Sequence, residues 1–119
     1  MLLSERSAVA LIPREPMLAW VQGLDPEAAV TLAELEREPN VYLLPTAENQ
    51  AGLEELLLEL AEPLFVKELE AWSSDEDAWP QDRSATALSR WFRLVHYVRV
   101  FDAVPDDPMF DDSEVLHAR

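Results

Sequence analysis

The chain has no cysteine, which excludes disulfides, thiolate zinc sites and a cysteine nucleophile. Glycine occurs only twice. That leaves no material for a phosphate-cradling loop, a dinucleotide fingerprint or a Gly-x-Ser-x-Gly nucleophile elbow. Histidine also occurs twice, as His96 and His117, too few for a histidine-based metal site. No apolar run approaches the ~20 residues that a membrane-spanning helix needs. Met1 to Ser7 has neither a cationic start nor a long apolar stretch, so it does not read as a secretory signal. Positive charge is scarce: 9 Lys and Arg stand against 24 Asp and Glu, a net charge of −15. Such a field repels nucleic-acid backbones and anionic lipid. These absences lead us to expect no cofactor, no metal, no direct nucleic-acid partner and no membrane association.

What is present is a chain of 119 residues with 49% hydrophobic content, suited to a single core. Ser7 to Pro13 is a Val- and Ile-bearing run closed by proline and reads as a strand. Pro16 then suits a helix start, with Met17, Trp20 and Val21 at helical spacing and Gly23 as its expected stop. Thr31 to Glu34 matches a capping box, opening a short helix over Leu32 to Arg37. Val41 to Pro45 is a second proline-closed strand. From Asn49 to Trp72 runs the longest helical signal. Leu53, Leu56, Leu57, Leu60 and Leu64 form one stripe, with Glu54, Glu55, Glu59 and Glu62 facing away. Leu58, Phe65, Leu69 and Trp72 lie on a neighbouring arc with Pro63 at the change, which predicts one kinked helix or two helices meeting there. Lys67 and Glu68 fall on the first stripe. Ser73 to Arg83 is polar and turn-rich, with Trp79 as the expected anchor of a loop. Ser84 caps a helix carrying Leu88, Trp91 and Phe92. Arg93 to Val104 alternates as a strand, though a helix also accommodates Leu94, Val95 and Val98; the β-branched and aromatic density favours the strand. The fold class is α+β: a small three-stranded sheet covered by helices, in the order strand, helix, helix, strand, long kinked helix, helix, strand. Residues 1–104 form the domain, and 105–119 an acidic, partly irregular tail.

Few residues present themselves for chemistry, and no catalytic set emerges. His96 sits on the apolar side of the third strand, as a core or interface histidine or as a proton-transfer group. Asp75-Glu76-Asp77 and the run from Asp106 to Asp112 lack calcium-loop spacing and read as solvated acid. Arginines concentrate late, at Arg83, Arg90, Arg93 and Arg99. On a strand, Arg93 and Arg99 share a face with Tyr97 and Phe101. Guanidinium forks beside aromatic surfaces fit an anion or protein partner; pairing with the Glu-rich helix is the alternative. The Leu58, Phe65, Leu69 and Trp72 arc is a second candidate contact surface, covered either from within or by another subunit.

The run Arg6-Ser7-Ala8-Val9 followed by Pro13 and Trp20, then Val41-Tyr42-Leu43-Leu44-Pro45, Glu68-Leu69-Glu70-Ala71-Trp72, Trp79-Pro80 and Trp91-Phe92, resembles a family of short acidic bacterial proteins with no established activity. The resemblance spans most of residues 6–104 and implies a fold and a bacterial cytoplasmic setting, without a mechanism. The leading expectation is thus a non-catalytic domain that binds a protein partner or itself as a homodimer. Its alternatives are an acidic partner of a basic, nucleic-acid-binding protein, and a small enzyme using His96 with a carboxylate and an arginine.

Overall fold

The computed structural model describes residues 1–106. The tail reading from Pro105 onward therefore lies outside the described residues, apart from Pro105 and Asp106, and so does His117. Chain order is β1 (Leu2–Leu3), β2 (Arg6–Pro13), α1 (Glu15–Leu24), α2 (Leu32–Arg37), β3 (Asn40–Pro45), α3 (Gln50–Glu70), α4 (Ala85–Trp91), β4 (Phe92–Tyr97) and β5 (Phe101–Asp102). Single turns of 3-10 helix occupy Pro26–Ala28 and Glu76–Ala78. The fold is α+β, built on a three-stranded sheet of order β3-β2-β4. A two-stranded ribbon of β1 and β5, too short to carry a periodic signal, adds to the expected elements.

Local chemistry sets most element boundaries. Pro16 stands in the first turn of α1, where its missing N–H costs nothing. The Thr31 hydroxyl accepts from the Glu34 N–H at 3.2 Å, Asn49 Oδ1 from the Gly52 N–H at 2.9 Å, and the Ser84 hydroxyl from the Ala87 N–H at 3.2 Å. Each cap satisfies an amide that the helix itself leaves orphaned. Gly23 does not stop α1. The helix runs one residue further, and the Asp25 N–H closes it on the Val21 carbonyl at 3.4 Å. The left-handed residue in this part of the chain is Ala29, at φ 54°. α3 passes through Pro63 as one unbroken helix. α4 passes into β4 with no residue between them, so Phe92 belongs to the strand.

The central strand β2 runs antiparallel to both neighbours. Val9 lies opposite Tyr42 and His96, and Leu11 opposite Asn40 and Leu94. This inner face meets the helices: Val9, Leu11, Leu44 and Phe92 share one buried cluster with Met17, Val21, Leu53, Leu57, Ala61, Phe65, Leu69 and Leu88. At its centre Phe65 packs edge-on to Trp91 and Phe92, with centroids 5.2 and 5.8 Å away. The Trp20 N–H ties the polar loop to this body, its Nε1 donating to the Ala78 carbonyl at 2.8 Å. Trp79 packs against the core and closes the loop on itself, its Nε1 donating to the Ser73 carbonyl at 2.9 Å.

The buried side of α3 corrects the two-arc reading. Leu53, Leu57, Ala61, Leu64, Phe65, Glu68 and Leu69 are buried on one continuous stripe. Ala61 bridges the halves, and its small side chain hides that continuity in the sequence. Phe65 and Leu69 are fully buried and cannot meet a partner. Leu58 points the other way, 79% exposed, and Trp72 lies beyond the helix end at 44%.

Candidate functional site

The sheet has a second face. Along β2 the outward positions are Arg6, Ala8, Ala10 and Ile12. Ala8 lies between Leu43 and Tyr97, and Ala10 between Val41 and Val95. Ala8 and Ala10 are buried, yet neither belongs to the helix-covered core cluster. Their methyl groups are sunk between the larger side chains of the flanking strands. Those flanking side chains are open: Val41 is 58% exposed, and Leu43 and Tyr97 are also exposed. The face is apolar, shallow and uncovered by any helix among the described residues.

Its charges are of one sign. Arg6 stands on β2 opposite Pro45, and Arg93 on β4 opposite Ile12, so the arginines mark opposite ends of the face. No acidic residue occupies an outward position on β2, β3 or β4. Neither arginine is ion-paired among the described residues. The expected alternative of pairing with the Glu-rich helix fails for a geometric reason: α3 packs on the inner face, on the far side of the sheet. The expected constellation is split. Arg93 and Tyr97 share the outer face with Val95. The strand ends at Tyr97, so Arg99 falls in the connection that follows, and Phe101 belongs to the β1–β5 ribbon.

A polar cluster that the sequence reading missed lies on the inner side. Glu68, on the buried stripe of α3, is 6% exposed. Its Oε2 accepts a hydrogen bond from the Tyr42 hydroxyl and another from Asn40 Nδ2 at 2.7 Å. Asn40 and Tyr42 alternate along β3 and so present both donors on the face that α3 covers. Burial, and next the hydrogen bond to Glu68 and its charge, hold the Tyr42 phenol protonated well above its ordinary range. The signal available in the sequence was a carboxylate at a stripe position, three residues beyond Phe65.

The remaining candidates do not converge. His96 is half-buried on the inner face, and its Nε2 is enclosed with no hydrogen-bond partner. No carboxylate or guanidinium reaches it among the described residues. Asp75 spends its carboxylate on the Asp77 N–H, 3.0 Å away, in a capping turn. No group of three potential metal ligands occurs among the described residues. Arg90 pairs with Asp82 at 3.3 Å on the exposed side of α4. Leu58 lines an open groove of about 620 Å³ shared by α3 and α4. Among the described residues no helix is long and apolar enough to cross a membrane. Comparison of the chain with protein-family models, with curated proteins and with solved structures finds no match.

Proposed function

We propose that this protein is a non-catalytic interaction module, working in a bacterial cytoplasm, whose docking surface is the outer face of the sheet. The observation that supports the reading is the pairing of an apolar centre with arginines at both ends that have no ion-pair partner among the described residues. The partner that fits is an extended protein segment alternating apolar and acidic side chains. Its apolar groups would lie over Ala8 and Ala10, and its carboxylates would meet Arg6 and Arg93. Charge complementarity of this kind selects a partner at the contact, while the net charge of −15 opposes the long-range approach of other anions. Strand rise and spacing make the face about 25 by 14 Å, roughly 350 Å². An interface of that size suits a transient complex and falls well short of a permanent homodimer. A second copy would also offer the same apolar, arginine-bearing face, with no carboxylate for either arginine.

The test is an NMR titration of the full chain with a capped peptide alternating aspartate and valine. The expected result is saturable shifts of the Ala8, Ala10 and Val95 amides. Arg93→Glu should reduce the binding, and lysine in place of aspartate in the peptide should abolish it. Equal binding of the lysine peptide, or shifts confined to the helical side, would refute the reading. Sedimentation as a tight dimer that protects these amides from hydrogen exchange would replace the acidic partner with a second copy.

A further inference from the structure

A cavity of about 240 Å³ opens beside the polar cluster, between the α2–β3 connection and the C-terminal end of α3. Leu11, Met17 and Leu35 supply apolar wall, Trp72 an indole, and Glu38 and Glu68 carboxylates. The two carboxylates differ. Glu38 is exposed, whereas Glu68 is more than nine-tenths buried and takes both of its hydrogen bonds on Oε2. Among the described residues, its Oε1 receives no donor and no basic side chain pairs with it. A buried carboxylate with no counter-charge among the described residues is costly to keep unless something pairs with it.

We propose that this cavity binds a primary ammonium carrying a short apolar chain, with the ammonium on Glu68 Oε1. Several independent features select this chemistry. The cavity lies at the C-terminal end of a 21-residue helix, where the backbone dipole favours a cation. The Trp72 indole adds an aromatic wall of the kind that attracts ammonium groups. Oε1 can accept from an N–H, which a primary ammonium offers and a quaternary one does not. A divalent metal would need several oxygen ligands, and the described residues gather no such set. At ~30 Å³ per non-hydrogen atom the volume holds roughly eight such atoms. A butylammonium chain fits, whether it belongs to a free amine or to the end of a lysine side chain.

The experiment is an NMR titration of the full chain in 150 mM salt with butylammonium chloride, and in a parallel arm with lysine capped at both backbone ends. A free amine as natural ligand predicts tighter binding of butylammonium; a lysine side chain predicts at least equal binding of the capped lysine. Either result supports the site. We expect saturable shifts of the Trp72 indole N–H and the Glu68 and Ala71 amides, at about millimolar affinity for so small a probe. Butanol, of the same shape without charge, and choline, with charge but no N–H, should each bind at least tenfold more weakly. Glu68→Gln should lose at least tenfold in affinity while keeping a thermal melt. If that variant fails to fold, Trp72→Ala decides, with a severalfold loss expected from a half-exposed position. Shifts that do not saturate, equal binding of butanol, or affinity kept within twofold in the deciding variant would overturn the proposal.

Discussion

Tyr42→Phe removes one of the two donors to the buried Glu68 carboxylate and leaves the ring in place. Hydrogen bonds to a charged group contribute about 1.5–3 kcal/mol each. Tyr42 is half-buried, so water can partly replace it, and the lower end applies: roughly 1.5 kcal/mol. Asn40 remains as the second donor at 2.7 Å. Glu68→Leu deletes the acceptor and places an apolar side chain on the buried stripe. The double variant Tyr42→Phe/Glu68→Leu strands neither donor nor acceptor between these two positions. It should therefore cost less than the sum of the singles by about 1–2 kcal/mol. Urea unfolding followed by tryptophan fluorescence measures all four corners of the cycle. The pair also has a pH signature. An unfolded chain releases the phenolic proton near pH ~10. The folded protein, with the Tyr42 pKa raised by burial and by Glu68, keeps it to higher pH. The stability this group contributes is thus complete below pH ~10 and declines as pH climbs through the folded value. The limiting slope for one proton is about 1.4 kcal/mol per pH unit, reduced here by partial exposure. Tyr42→Phe should flatten that decline relative to the parent. A coupling energy under about 0.5 kcal/mol, with an unchanged alkaline profile, would refute the idea that these side chains act as a unit.

Two further predictions concern the scaffold. Phe65→Ala should destabilise the fold by ~3–5 kcal/mol, whereas Leu58→Ala, seven residues earlier on the same helix, should stay within about 0.5 kcal/mol. Similar urea midpoints for the two would contradict the single stripe. Ala29 holds a left-handed backbone at φ 54°, and relieving it by Ala29→Gly should raise stability by up to ~1 kcal/mol; a drop in thermal midpoint would show that the side chain is needed.

Much of the architecture is legible in local chemistry. Pro13 and Pro45 close two strands, and Thr31, Asn49 and Ser84 open helices, because each acts on amides within three residues of itself. What escapes the sequence is non-local. Glu68 belongs inside because Asn40 and Tyr42 meet it from 28 and 26 residues upstream. Helical period alone assigns it no partner. The end of β4 is similar. Val98 and Val100 continue the β-branched run, but pairing with β2 stops at Tyr97, and backbone bonding resumes where the Ser4 N–H meets the Val100 carbonyl at 2.7 Å and Phe101 pairs with Leu3. Strand length is set by the neighbouring strand, which composition does not reveal. Arg93 and Tyr97 stand out in the sequence through their strand alternation. The face they belong to takes its apolar centre from Ala8 and Ala10, which look unremarkable until the register places them between larger side chains.

The junction of α4 and β4 has no slack. Trp91 ends the helix, Phe92 begins the strand, and the Phe92 N–H still bonds to the Leu88 carbonyl. The Trp91 carbonyl meanwhile takes the Arg14 N–H at 2.9 Å, stitching the joint to the start of α1. One residue inserted there would have to turn the helix by about 100° or reverse every side chain of β4. His96 and Leu94 would then face solvent, while Arg93 and Tyr97 would be driven into the hydrocarbon interior. Length changes in descendants of this chain should therefore collect in the 73–83 loop and avoid this hinge-free joint, which makes its spacing a better mark of kinship than any single side chain.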